Sequence, residues 1–124
     1  MSDLILYIED NDNNAKIIEL ILKRAGYSVL IAKDGDEGIQ LIEKHKPVLI
    51  ICDFHLPGML KGFDVVKMIR ETPHIAETPF LMLTADSSSA TYPKSMEYGA
   101  DAYLNKPVTP DQLIENVTTL LRVH

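Results

Sequence analysis

Cysteine occurs once in the 124 residues, tryptophan not at all, and no apolar run approaches the roughly 20 residues of a membrane-spanning helix. A lone Cys52 excludes an internal disulfide, and its place at the end of an apolar run marks it as a buried core thiol rather than a nucleophile. In a strand it faces away from its neighbour Asp53. Basic residues are few and scattered, with 12 Lys and Arg against 18 Asp and Glu and a formal charge of −6. That balance argues against direct binding of nucleic acid by this chain. Met1-Ser2-Asp3 lacks the basic start of a secretory signal, so the expectation is a soluble, cytoplasmic protein with no membrane partner. Repeats, low-complexity tracts and linkers are missing too. With 46% hydrophobic residues there is enough for one core, and a single domain over 1–124 is expected.

What the sequence does contain is an alternation of short apolar runs and helical patterns. Leu4 to Ile8 reads as a first strand, followed by a helix with Ala15, Ile18, Leu22 and Ala25 at helical spacing and Gly26 as its stop. Ser28 to Ala32 reads as a second strand. Asp34 can cap the next helix, whose Ile39 and Ile42 face inward, and Pro47 precedes the apolar run Val48 to Cys52. A long loop from Phe54 to Gly62 leads to a helix with Val66 and Ile69 inward, and Phe80 to Leu83 is the fourth strand. The spacing predicts a short helix between Ala90 and Tyr98, because Pro93 is tolerated only in a first turn. After Ala102-Tyr103-Leu104, Thr109 and Gln112 form a capping box with Pro110 at the first helical position, opening a last helix striped by Leu113, Val117, Leu120 and Leu121. Five strands each followed by a helix predict an α/β fold with a parallel sheet covered on both faces.

The charges that close these runs carry the functional signal. Glu9 and Asp10 follow the first strand, Asp53 the third, and Lys106 the fifth. Buried parallel strands deliver such side chains to the carboxyl edge of the sheet, where open α/β folds place their sites. Three carboxylates gathered there repel one another unless a cation shares the pocket, and an all-oxygen donor set favours a hard ion such as magnesium. Phosphoryl chemistry with a divalent metal is the implied class.

The chain resembles the response-regulator receiver domains, the CheY-like phosphoacceptor modules of two-component signalling, over essentially its whole length. The residues that carry the resemblance are Glu9-Asp10, Asp53 with Leu56-Pro57-Gly58, Thr84-Ala85, Gly99-Ala100-Asp101, Tyr103 and Lys106-Pro107. It implies a (βα)5 flavodoxin-like fold of strand order 2-1-3-4-5, as a stand-alone domain without an output module. Asp53 would be the phosphoacceptor, with Mg2+ as cofactor and Mn2+ able to substitute. Asp10 and Asp53 would hold the metal directly, Glu9 through water, and the backbone carbonyl of His55 would complete the set. Lys106, after which the family has a cis proline bond, would give a fixed positive charge to a phosphoryl oxygen and pair with Asp53 beforehand. Thr84 would donate its hydroxyl to another oxygen, drawing its loop inward and letting Tyr103 rotate in from the surface as the switch. His55 and Asp86 stand where the family tunes the lifetime of the acyl phosphate. The implied partners are a sensor histidine kinase or histidine phosphotransfer protein and a downstream protein met largely by Ala100 to His124. The chain itself would be a monomer or a weak phosphorylation-dependent dimer, and not a multi-turnover enzyme.

Taken singly, these residues have plainer readings. Asp10 can be only a helix N-cap, Thr84 a loop hydroxyl, Tyr103 a core aromatic, Lys106 a surface lysine and His55 a solvent-facing loop residue. Several coincidences at one sheet edge are needed for all of them to hold. A haloacid-dehalogenase-like phosphatase needs a second aspartate where His55 stands, and a flavodoxin-like carrier needs a hydroxyl-rich phosphate loop where Glu9-Asp10-Asn11-Asp12 stands. A phosphorylation-independent scaffold is the remaining alternative, without support while every required side chain is present. One departure from the family pattern is the loop Pro57 to Gly62, one residue longer than usual, with Lys61 in place of a common aspartate.

Overall fold

The computed structural model describes residues 3–85 and 90–123. Ten elements alternate along the chain: β1 (Leu4–Ile8), α1 (Asp12–Arg24), β2 (Ser28–Ala32), α2 (Gly35–His45), β3 (Leu49–Cys52), α3 (Gly62–Arg70), β4 (Phe80–Thr84), α4 (Thr91–Glu97), β5 (Ala102–Asn105) and α5 (Pro110–Val123). All strand pairs are parallel, in the order β2-β1-β3-β4-β5. This is the order that the resemblance implied. Ile8 stands beside both Ala32 and Cys52, and Thr84 beside Asn105, so the strands end together on one edge.

The period of two along each strand sorts the apolar residues into two cores. Leu6, Ile8, Ile50, Cys52, Phe80 and Met82 pack with Ile42 of α2 and Val65, Val66 and Ile69 of α3. Ile5, Tyr7, Leu49, Ile51, Leu81 and Leu83 face the other way, onto Ile18 and Leu22 of α1 and Leu113, Val117 and Leu120 of α5. Burying each of these aliphatic side chains contributes roughly 1.5–3 kcal/mol before chain entropy is counted. Val48 is left out. It is 37% exposed and precedes the ladder, which begins at Leu49.

Local chemistry sets the helix ends. Asn11, not Asp10, caps α1 by accepting the Asn14 amide, while Asp34 caps α2 and Thr109 with Gln112 closes the box at α5. Pro93 falls in the first turn of the seven-residue α4, where its missing amide costs nothing. Arg70 ends α3 by donating to the carbonyls of Ala76, Thr78 and Gly99 and to the Asp101 carboxylate, which also accepts the Phe80 amide. That network fastens α3 to the amino-terminal ends of β4 and β5, and so fixes the sheet from the side opposite the charged edge.

Candidate functional site

Glu9, Asp10 and Asp53 converge at the carboxyl edge between β1 and β3, with carboxylate oxygens from all three within 4.8 Å of one another. This is the point where the strand order reverses, the place where open α/β sheets leave a crevice. The three are not equivalent. Glu9 is 2% exposed and Asp53 9%, whereas Asp10 is exposed. Asp10 therefore stands as the outer wall of the cluster, and the other two as its floor.

Lys106 is inserted between the buried pair. Its Nζ pairs with Glu9 Oε1 and lies 3.1 Å from Asp53 Oδ2. The pairing with Asp53 was expected from the sequence, and the one with Glu9 was not. The peptide bond to Pro107 is cis, as the resemblance implied, and the Lys106 amide donates to the Thr84 carbonyl at 2.8 Å. Asp53 is held a second time by the His55 amide, 3.1 Å from Oδ1. Glu9 accepts the Tyr7 hydroxyl at 2.9 Å and the Asn11 amide at 3.2 Å. His55 thus reaches the site through its backbone, while its exposed ring meets Phe54 edge-on at 5.0 Å.

The two buried carboxylates titrate in opposite directions. Burial pushes Asp53 above the ordinary aspartate range, and the positive charge of Lys106 and the His55 amide offset this only in part. Burial would raise Glu9 too, but the hydrogen bond and charge of Lys106, with the Asn11 amide and Tyr7 hydroxyl, outweigh it and leave Glu9 below its usual value. Cys52 is pushed well above the ordinary thiol range by burial and then by the carboxylates of Asp53 and Glu9. It stays protonated and inert, as expected for a core thiol.

At the β4 and β5 end of the same edge, Thr84 is fully buried and closes β4. Tyr103 is half-buried, its hydroxyl 2.6 Å from Thr91 Oγ1 at the start of α4 and its ring edge-on to Tyr92 at 5.3 Å. The other proposed tuner of lifetime, Asp86, lies outside the described residues. The long loop after β3 is closed by the residue that departs from the family pattern: Lys61 Nζ donates to the carbonyls of Leu56 at 2.8 Å and Gly58 at 3.3 Å. Met59 in the same loop is 91% exposed. Gly62 then packs so tightly that a Cβ would press on the Asp53 carbonyl and come within 2.8 Å of Phe54 Cα. Only glycine lets α3 start against the backbone of Asp53.

Sequence reading had missed Tyr7, Asn11, Thr91 and Arg70. Tyr7 carried a signal, a hydroxyl in an otherwise aliphatic strand and on the same face as Glu9 two residues on. Thr91 and Arg70 reach their partners only through tertiary packing.

One ammonium among three carboxylates leaves an excess of two negative charges, which a divalent cation would balance. The donors are all oxygens, and one side of the cluster is open at Asp10. Both features fit Mg2+, which keeps several waters and uses few protein ligands.

Comparison with known proteins points the same way. The family model for the response regulator receiver domain matches residues 5–118. The chain is 35% identical over 122 residues to the alkaline phosphatase synthesis transcriptional regulatory protein PhoP of Bacillus subtilis, covering 98% of this chain and 50% of that protein. It thus spans half the length of that curated relative. A crystal structure described as a candidate response regulator from Chloroflexus aurantiacus superposes with a TM-score of 0.94 at 37% identity, over 98% of this chain and 99% of that one. The receiver domain of a sensor histidine kinase from Pseudomonas aeruginosa, solved with magnesium in its active-site cleft, gives 0.90 at 27% identity over 98% of each chain.

Proposed function

Because the chain belongs to the response regulator receiver domain family, the phosphorylation-based module of two-component signalling, we propose that Asp53 is its phosphoacceptor and that the domain is a switch rather than a multi-turnover enzyme. The observation that carries the proposal is Asp53 itself, nearly buried among Glu9, Asp10 and Lys106 with one oxygen held by Lys106 and the other by the His55 amide. Asp10 and Asp53 would hold Mg2+ directly, with Glu9 acting through water and the His55 carbonyl completing the set. When bound, the ion supplies charge neutralisation between the anionic nucleophile and the anionic donor.

The protein's own groups do the rest. Asp53 attacks the phosphorus, its carboxylate oxygen forming the new P–O bond as the bond to the donor nitrogen or oxygen breaks and the leaving group takes up a proton. Lys106 is already within reach of Asp53 and needs only to turn to place its ammonium on a phosphoryl oxygen. Thr84, closing β4 one strand away, would donate its hydroxyl to a second oxygen. That movement frees Tyr103 to exchange its bond to Thr91 for a buried position, shifting α4. The exposed His55 ring and Asp86 would meter the water that hydrolyses the product. The phosphodonor would be a histidine kinase or phosphotransfer protein, and the output a protein contact involving 100–124, with the switch acting in the cytoplasm.

An acyl phosphate has its own chemical signature. After incubation with a phosphohistidine donor, labelled phosphate should survive acid, be released by hydroxylamine, and map to the peptide containing Asp53. Label stable to hydroxylamine, or mapped elsewhere, would defeat the proposal.

A further inference from the structure

We infer that Tyr7 is a positioning residue for the metal site, its buried hydroxyl fixing the Glu9 carboxylate against which the cation is placed. This rests on the reading of the cluster as a magnesium site. The Tyr7 ring is fully buried in the core with Ile18, Leu22 and Ile51, where phenylalanine or leucine would fill space as well. Its hydroxyl, by contrast, adds nothing to a core and needs a partner there. The partner is Glu9 Oε1, 2.9 Å away, on the same side of β1 because two residues separate them.

That oxygen is also the one that pairs with Lys106, while Oε2 takes the Asn11 amide. Glu9 is therefore oriented by three donors from three places: the core, the turn into α1 and the loop after β5. Of these, Lys106 is mobile in the proposed reaction, since it must follow the phosphoryl group. The Tyr7 hydroxyl and the Asn11 amide would then be what keeps Glu9 facing Asp10 and Asp53. Tyr7 suits the task, since its ring is held fully buried in the core and its hydroxyl lies 2.9 Å from Glu9 Oε1. Outer partners that orient a direct ligand typically change metal affinity by about 10–100-fold when removed, and for Glu9, which acts through water, the low end of that range is expected.

Tyr7→Phe separates the hydroxyl from the ring. We would titrate Mg2+ into the isotopically labelled full chain, its Tyr7→Phe variant and a Tyr98→Phe control, following backbone shifts and, in wild type, the Tyr7 13Cζ resonance. The Mg2+ dissociation constant should rise about tenfold in Tyr7→Phe and less than about twofold in Tyr98→Phe, with folded spectra for both. The wild-type Tyr7 resonance should move with the same midpoint as the site. A Tyr7→Phe constant within about twofold of wild type would overturn the inference. Should that variant fail to fold, a wild-type Tyr7 resonance that stays still to saturation overturns it, and one that moves upholds it. A wild type without saturable Mg2+ binding would instead defeat the metal-site reading, and the role of Tyr7 with it.

Discussion

At the β1 and β3 end of the charged edge, Glu9 and Asp53 accept bonds from Lys106, Tyr7, Asn11 and His55 and are all but closed to solvent. At the β4 and β5 end, Tyr103 reaches α4 through Thr91, and α4 is a seven-residue helix whose N-cap, Ala90, makes no side-chain cap bond. The first end is built as preorganised electrostatics, in which many donors fix a few charges. The second is built from neutral hydroxyls on a short helix, an arrangement that small energies can rearrange. In the proposed function, chemistry would fall to the first end and conformational readout to the second.

The largest test of that contrast is Lys106→Met. It leaves Glu9 and Asp53 buried without their cation, and should lower stability by about 2–3 kcal/mol at neutral pH in a denaturant melt. The pH dependence has a definite sign. With Lys106 present, the folded Glu9 pKa lies below its unfolded value, so its contribution is present above the unfolded pKa and is lost as pH falls through the folded one. Without Lys106, burial dominates, both carboxylates protonate more readily when folded, and the gap to wild type should narrow as pH falls through the carboxylate range near about 4. A gap independent of pH would mean that Lys106 acts by packing alone.

Next in size is Gly62→Ala, which should cost about 2 kcal/mol in thermal unfolding because the added methyl meets the Asp53 and Phe54 backbone rather than a yielding side chain. A neutral result would show that the floor of the site is less rigid than its contacts suggest. Asp53→Asn should act in the other direction. It removes a buried carboxylate whose folded pKa is raised, so melting temperature should increase at pH 7. The advantage should shrink as pH falls through the raised Asp53 value, where wild type is neutral too. At the other end, Thr91→Val should cost only about 0.5–1 kcal/mol, seen as faster amide exchange in α4 with β1 and β3 unchanged. A loss as large as that of Lys106→Met would erase the distinction between the ends.

Most of this fold was legible because periodicity marks each strand and the caps of α2 and α5 agree with it. Leu4–Ile8 and Ser28–Ala32 have the bounds that their apolar runs predict, Asp34 and Thr109 cap where expected, and Pro93 sits in a first turn. The convergence of Glu9, Asp10, Asp53 and Lys106 was legible for the same reason, since charges ending parallel strands share an edge. What escaped were bonds between residues far apart or of unremarkable type. The pairing of Lys106 with Glu9 depends on how deep the ammonium sits between strands, and the Lys61 clamp on Leu56 and Gly58 depends on a loop path that periodicity does not encode. Asn11 took the α1 cap in preference to Asp10 because Asp10 turns toward the cluster.

The central claim is that this edge exists to place a phosphoryl group on Asp53. Intact mass of the full chain, quenched cold in acid after incubation with acetyl phosphate and Mg2+, tests it most directly. One phosphoryl group should appear, and should vanish both with chelator and in Asp53→Asn. An adduct that persists in Asp53→Asn, or no adduct in a folded wild type shown to bind Mg2+ and supplied with a phosphohistidine donor, would contradict it.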